Sequence, residues 1–150
     1  MKAVMSEEDL RAEEIMIANV ERGAAWLDSI NPDWYVSISL ENLDLSNSET
    51  CICGQIFCED ALQLALDSEC EYGFDNGYEY ALNTYFDGRE TEAIRHGFQA
   101  MTNYTAKVDG LDDIIYAPMY KNPNLQYEFL AWQWIRQISI RSLGLESSDE

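Results

Sequence analysis

The sequence predicts a mainly α protein, one compact helical domain spanning residues 1–150, with room for a short β-hairpin near residues 70–82. Three observations carry this. Apolar residues recur at helical spacing over long stretches near both ends of the chain. Those stretches are bounded by residues that start or stop helices. The chain is 150 residues long and 47% hydrophobic, enough for one core without help from metals or disulfides.

Taken in order, Ser6 followed by Glu7, Glu8 and Asp9 is a helix start, a capping hydroxyl before acids that face the positive end of the helix dipole. Leu10, Ile17, Val20, Ala24 and Leu27 then form an apolar stripe, widened by Met16, Gly23 and Ile30, until Asn31-Pro32 ends it; residues 6–30 are expected to be helical. Trp34, Val36, Ile38 and Leu40 alternate with Tyr35, Ser37 and Ser39, a strand period that fits an irregular link equally well. Residues 43–48 read as a turn leading to a helix cap. Between about Glu49 and Glu69, Cys53, Phe57, Ala61 and Leu64 make a stripe that Ile52, Ile56 and Leu66 broaden, so one helix is expected.

Asn76-Gly77, set between the aromatics Tyr72, Phe74 and Tyr78, is a hairpin signal, with residues 78–86 either a return strand or a short helix. Another helix is expected over about Glu90–Asn103, weakened by Gly97. Val108–Pro123, with two prolines and a glycine, reads as mostly loop. The last helix spans about Asn124–Leu143, closed by Gly144, before a frayed polar tail at about 146–150.

The charge balance is extreme. Twenty-eight acids against nine bases give a formal charge of -19. Such a surface repels phosphate backbones and anionic membranes, so direct nucleic-acid or membrane binding is not expected. No apolar run approaches the length of a membrane span. Met1–Glu8 lack a basic-then-apolar export signal, so a cytoplasmic location is expected. Between Arg22 and Arg89 there is no Lys or Arg, while thirteen acids, Asp87 among them, are spread through the stretch. Three readings compete for this pattern: solubility, adaptation to high salt, and a decoy whose carboxylates stand where nucleic-acid phosphates would sit on a partner's basic groove.

Gly23-Ala24-Ala25-Trp26-Leu27-Asp28, Pro32-Asp33-Trp34, Leu43-Asp44-Leu45 and Cys51-Ile52-Cys53-Gly54-Gln55-Ile56-Phe57 occur in an order, followed by Tyr72-Gly73-Phe74, that resembles a group of small uncharacterised proteins of actinobacteria and their phages. The resemblance covers about residues 22–75. Cys53 departs from it, standing where the group usually has an aliphatic residue. The resemblance implies a phage or mobile-element context and no catalytic residue.

Chemistry-bearing motifs are sparse. Cys51, Cys53, Cys58 and Cys70 have a spacing that fits no common zinc module, and on a helix only Cys51 and Cys58 would share a face, so they are expected to be buried thiols rather than metal ligands. His96 follows Glu92 by one helical turn and is expected to pair with it. No nucleophile elbow, phosphate loop, dinucleotide fingerprint or His-Glu-x-x-His is present. Asp44, Ser46 and Ser48 imitate a calcium loop, but Glu49 replaces its glycine and Gln55 its final glutamate. No catalytic residue and no cofactor are expected.

The expectation is therefore a non-enzymatic binding protein, in which carboxylates engage the basic surface of a nucleic-acid-handling enzyme such as a nuclease or CRISPR effector. The acids assigned to that surface are Asp28, Asp33, Glu41, Asp44, Glu49, Glu59, Asp60, Asp67, Glu69, Glu71, Asp75 and Glu79, with Trp34, Tyr72 and Tyr78 filling the gaps between them. The alternative is an adaptor that binds a partner, or itself as a homodimer, through the last helix. There Leu130, Trp134 and Ile138 form one apolar stripe, with Phe129, Trp132, Arg136 and Ile140 beside it.

Overall fold

Ser6 caps the first helix as expected, its hydroxyl accepting from Asp9 N at 3.0 Å. The structure, a computed structural model, describes residues 6–67 and 76–144, with the backbone alone at residues 64–67, 112 and 113. Among the described residues it is helical, with no strand. The helices are α1 (Glu7–Ile30), α2 (Ile52–Ile56), α3 (Cys58–Asp67), α4 (Gly77–Tyr85), α5 (Glu90–Arg95), α6 (Asn103–Val108), α7 (Pro118–Lys121) and α8 (Pro123–Ser142), with 3-10 turns at Trp34–Ser37 and Asp112–Tyr116. None of the described helices is long and apolar enough to cross a membrane.

The two long helices, α1 and α8, pack on each other; α5 packs on α1 and α7 on both, while α2, α3 and α4 pack chiefly on one another. α1 buries Ala12, Met16, Asn19, Val20, Gly23, Ala24 and Leu27; the expected stripe members Leu10 and Ile30 are exposed because each lies at an end of the helix, beyond the contact. α8 buries Gln126, Leu130, Trp134 and Ile138. Trp34 and Trp134, both fully buried, meet edge to face at 5.7 Å between ring centroids. The turn after α5 is wedged between the long helices. Gly97 takes a positive φ of 75°, and Trp134 Nε1 donates to its carbonyl at 2.8 Å. A Cβ at Gly23 would fall on the His96 carbonyl oxygen, so the crossing of α1 over this turn requires glycine.

Buried Gln126 ties α8 to its neighbours. Its Oε1 accepts from Met101 N at 2.8 Å, and its Nε2 donates to the carbonyls of Met101 and Tyr120 at 3.2 and 2.7 Å. All three hydrogen-bonding directions of the amide used here are satisfied, which is what allows a polar side chain to sit in the core.

Several expected elements differ. The alternating segment after Pro32 is a 3-10 turn, because Trp34 turns inward and its indole donates to Asp28 Oδ1 at 2.9 Å. The single helix expected from Glu49 is two: α2 is capped by the Cys51 thiol, which accepts from Gly54 N, and ends at Phe57. Asn76-Gly77 opens a helix instead of turning a hairpin, so of the two readings for residues 78–86 the short helix holds and the return strand does not; residues 70–75 lie outside the described region. Asn76 is extended and its side chain accepts from Glu79 N at 2.8 Å, an N-cap. Gly77 is there for space: a Cβ would lie 2.6 Å from the carbonyl oxygens of Cys53 and Gly54. The helix expected over Glu90–Asn103 stops at Arg95, and the region read as loop after Val108 carries α7 and a 3-10 turn. α8 matches expectation to within a residue at each end, with Gly144 at φ 68° behind it. The tail from 146 lies outside the described residues.

Candidate partner-binding surface

The loop between the 3-10 turn and α2 carries Glu41, Asp44 and Glu49, all exposed. It is held against α2 by Gln55. That amide accepts from Ser39 N at 2.6 Å and donates to the carbonyls of Ser39 and Thr50 at 3.2 and 2.9 Å. Gly54 lets the loop approach closely, since a Cβ would lie 2.5 Å from the Ser48 carbonyl oxygen and 2.6 Å from the Glu49 carbonyl carbon. Within the loop, Asp44 Oδ1 accepts from Ser46 N and Oγ at 3.0 and 2.6 Å, and Asn47 Oδ1 from Glu49 N at 2.8 Å. The loop carboxylates therefore project from a fixed backbone.

Asp44 also lines a groove of about 240 Å³ with Leu45 and Ser46 on one side and Asn124, Tyr127, Glu128 and Ala131 of α8 on the other. Glu128 was not among the acids singled out in the sequence, because it lies far from Arg22–Arg89. From Glu128 the exposed row of α8 continues at four-residue spacing through Trp132, 65% exposed, to Arg136. Phe129 is half-buried against the core. The groove thus sets Asp44 of the acidic loop opposite Glu128 of α8, while Phe129, Trp132 and Arg136 of the alternative helix face do not line it.

Asp33, Glu59 and Asp60 are also exposed, and Glu79 is half-buried. None of Asp33, Glu41, Asp44, Glu49, Glu59, Asp60 or Glu79 forms an ion pair among the described residues. The cations lie elsewhere, and several are engaged: Arg11 with Glu14, Arg95 with Glu92 and Asp109, and Arg141 with Asp28. The side chain of Asp67, and Glu69, Glu71 and Asp75, lie outside what the structure describes.

Two assignments made from sequence are corrected. Asp28 is not a free surface acid. Its two oxygens accept from Arg141 Nε at 3.0 Å and Nη2 at 2.7 Å, and Oδ1 also takes the Trp34 indole. Burial pushes its carboxyl up, but the hydrogen bonds from Arg141 and Trp34 and the Arg141 charge outweigh this and hold it below its ordinary value. Trp34 cannot fill gaps on a docking surface because it is fully buried, with Arg141 5.5 Å from its ring centroid. Tyr78 is half-buried and its hydroxyl is bonded to Gln99; Tyr72 lies outside the described residues.

Cys51 and Cys53 are buried, while Cys58 is exposed, so Cys51 and Cys58 do not share a face; the break at Phe57 separates them. Cys70 lies outside the described residues. Burial pushes the Cys51 thiol up to about 11. No group of three His, Cys, Asp or Glu side chains converges among the described residues. His96 does not pair with the Glu92 carboxylate, which goes to Arg95. Its Nδ1 lies 2.7 Å from the Glu92 carbonyl oxygen, and its ring packs among Trp26, Phe86 and Phe98.

No family model, curated protein or solved structure shows significant similarity to this chain.

Proposed function

We propose that this chain is a non-enzymatic binding protein whose acidic surface occupies the basic nucleic-acid-binding surface of another protein. The target in this reading is a nuclease or CRISPR-type defence effector, and the chain is a phage-type inhibitor acting in the host cytoplasm. The observation that carries it is the set of exposed carboxylates without ion-pair partners among the described residues, Asp33, Glu41, Asp44, Glu49, Glu59 and Asp60, within a stretch that contains no Lys or Arg. On the loop, the Gln55 and Gly54 contacts hold the backbone that carries the carboxylates, which lowers the entropy cost of matching them to Arg and Lys. Inhibition is by competition, so no bond is made or broken. The test is reversal of Asp44, Glu59 and Asp60 to Lys. The reading expects the folded variant to lose inhibition and the steep salt dependence of association. Unchanged inhibition by a folded variant would refute it.

A second reading is favoured by Trp132, a large apolar side chain left 65% exposed on a row with Glu128 and Arg136. There the chain is an adaptor, docking on a partner or on a second copy of itself through α8, and the acidity serves solubility. Trp132→Ala separates the two, since it removes binding in this reading and leaves electrostatic capture largely intact in the first.

A further inference from the structure

A second cleft, of about 300 Å³, lies between α1, α5 and α6, and its chemistry runs against the charge of the whole chain. Ile15, Ile94, Met101 and Leu111 supply its apolar wall, and Asn19, Arg22, Arg95, Thr105 and Asp109 its polar groups. Most of the polar groups are already engaged. Thr105 Oγ1 accepts from Thr102 N and donates to the Thr102 carbonyl. Both Asp109 oxygens take hydrogen bonds from Arg95, which also pairs with Glu92, so the one carboxylate in the cleft is already engaged.

Two groups are left with free donors. Arg22 Nη1 donates to Asn19 Oδ1 at 3.1 Å and to the Arg95 carbonyl at 2.6 Å, leaving its Nε and Nη2 without partners among the described residues. Because Arg22 occupies Oδ1, the Asn19 amide turns its nitrogen the other way. That nitrogen has no hydrogen-bond partner among the described residues and opens on the cleft, although Asn19 as a whole is only 8% exposed. A polar side chain this deep in the buried face of a 24-residue helix usually has its donors satisfied within the protein. Here they face an open cleft with a hydrophobic wall.

We propose that this cleft binds a small monocarboxylate with a short apolar tail. The carboxylate takes hydrogen bonds from Arg22 and Asn19 Nδ2, and the tail lies against Ile15, Ile94, Met101 and Leu111. A guanidinium edge and an amide N–H supply donors only, which selects an acceptor head; Arg22 forms no ion pair among the described residues, and its charge favours an anionic one. An apolar wall with a few convergent polar groups is the usual make-up of a small-molecule site. The proposal does not rest on the acidic docking surface, none of whose carboxylates lines this cleft.

The test is a titration of the full chain with hexanoate, followed by NMR at the Asn19 side-chain amide, the Arg22 Nε–H and the Met101 methyl group. Hexanol, with the same tail and no carboxylate, is titrated in parallel. Saturable shifts at all three groups with hexanoate are expected. Binding should be about tenfold weaker for hexanol and for Arg22→Gln, the loss of one charge-assisted hydrogen bond. Arg22 is exposed, so its variant keeps the fold, and Arg136→Gln, on the outer row of α8, should bind as the parent does. Absence of saturable shifts, equal binding of hexanol, or equal binding by Arg22→Gln would overturn the proposal.

Discussion

Replacing Gln55 by Leu removes a clamp while keeping side-chain size, and so tests whether the acidic loop is held as described. Three hydrogen bonds are lost, one from Ser39 N and two to the carbonyls of Ser39 and Thr50. Each contributes on the order of 0.5–1.5 kcal/mol net. The site is half-buried, so water can replace part of this, and the expected cost is about 2 kcal/mol. For a chain of this size that lowers the melting temperature by roughly 4–8 °C. The backbone amides of residues 39–50 should lose hydrogen-exchange protection more than those of α1 and α8, because the loop is released while the core is untouched. Electrostatic association should weaken with it, since mobile carboxylates must be ordered on binding. A variant that melts within a degree of the parent, with loop protection unchanged, would refute the clamp.

Other expectations follow from the same geometry. Arg141→Met breaks the contact with Asp28 and should cost about 1–2 kcal/mol at neutral pH, discounted because Asp28 is partly exposed. The Asp28 carboxyl is held below its ordinary value of 3.8, so the stability it contributes is present above that pH and lost as pH falls through the lowered value. The melting difference between parent and Arg141→Met should therefore shrink in acid; a difference independent of pH would contradict the pairing. Trp132→Ala should change stability by no more than about 0.5 kcal/mol in a denaturant melt, because the ring stands in solvent; a large loss would mean that it is core. A maleimide should label Cys58 in the native protein well before Cys51 and Cys53, counted by mass spectrometry on digested peptides, and early modification of Cys51 would contradict its burial.

How much of this was legible in the sequence depends on how local the cause is. α1 and α8 could be read because a cap, a stripe and a stop all lie within each segment: Ser6 with Asp9, Asn31-Pro32, and Gly144. The break at Phe57 could not, because Ile52 and Cys53 before it and Ala61 after it are all buried, and an apolar run hides a change of helix axis. Asn76-Gly77 was ambiguous by chemistry, since the asparagine that favours a tight turn also caps helices, and the packing of Gly77 on Cys53 and Gly54 decided it. Asp28 looked like every other acid because Arg141, its partner, lies 113 residues away. The absence of any cation between Arg22 and Arg89 was plain in the sequence, whereas the groove joining Asp44 to Glu128 required the fold. One local signal was overlooked: Asn19, a polar residue on the buried side of α1 between Met16 and Gly23, marked the second cleft.

The most direct test of the central claim is capture of partners from host lysate on the immobilised chain, eluted in turn with competing duplex DNA and with rising salt, beside the Asp44/Glu59/Asp60→Lys variant. The account predicts a nucleic-acid-handling protein that is released by DNA or by moderate salt and is not retained by the variant. A partner that withstands DNA and high salt, binds the variant equally and is lost only with Trp132→Ala would contradict it.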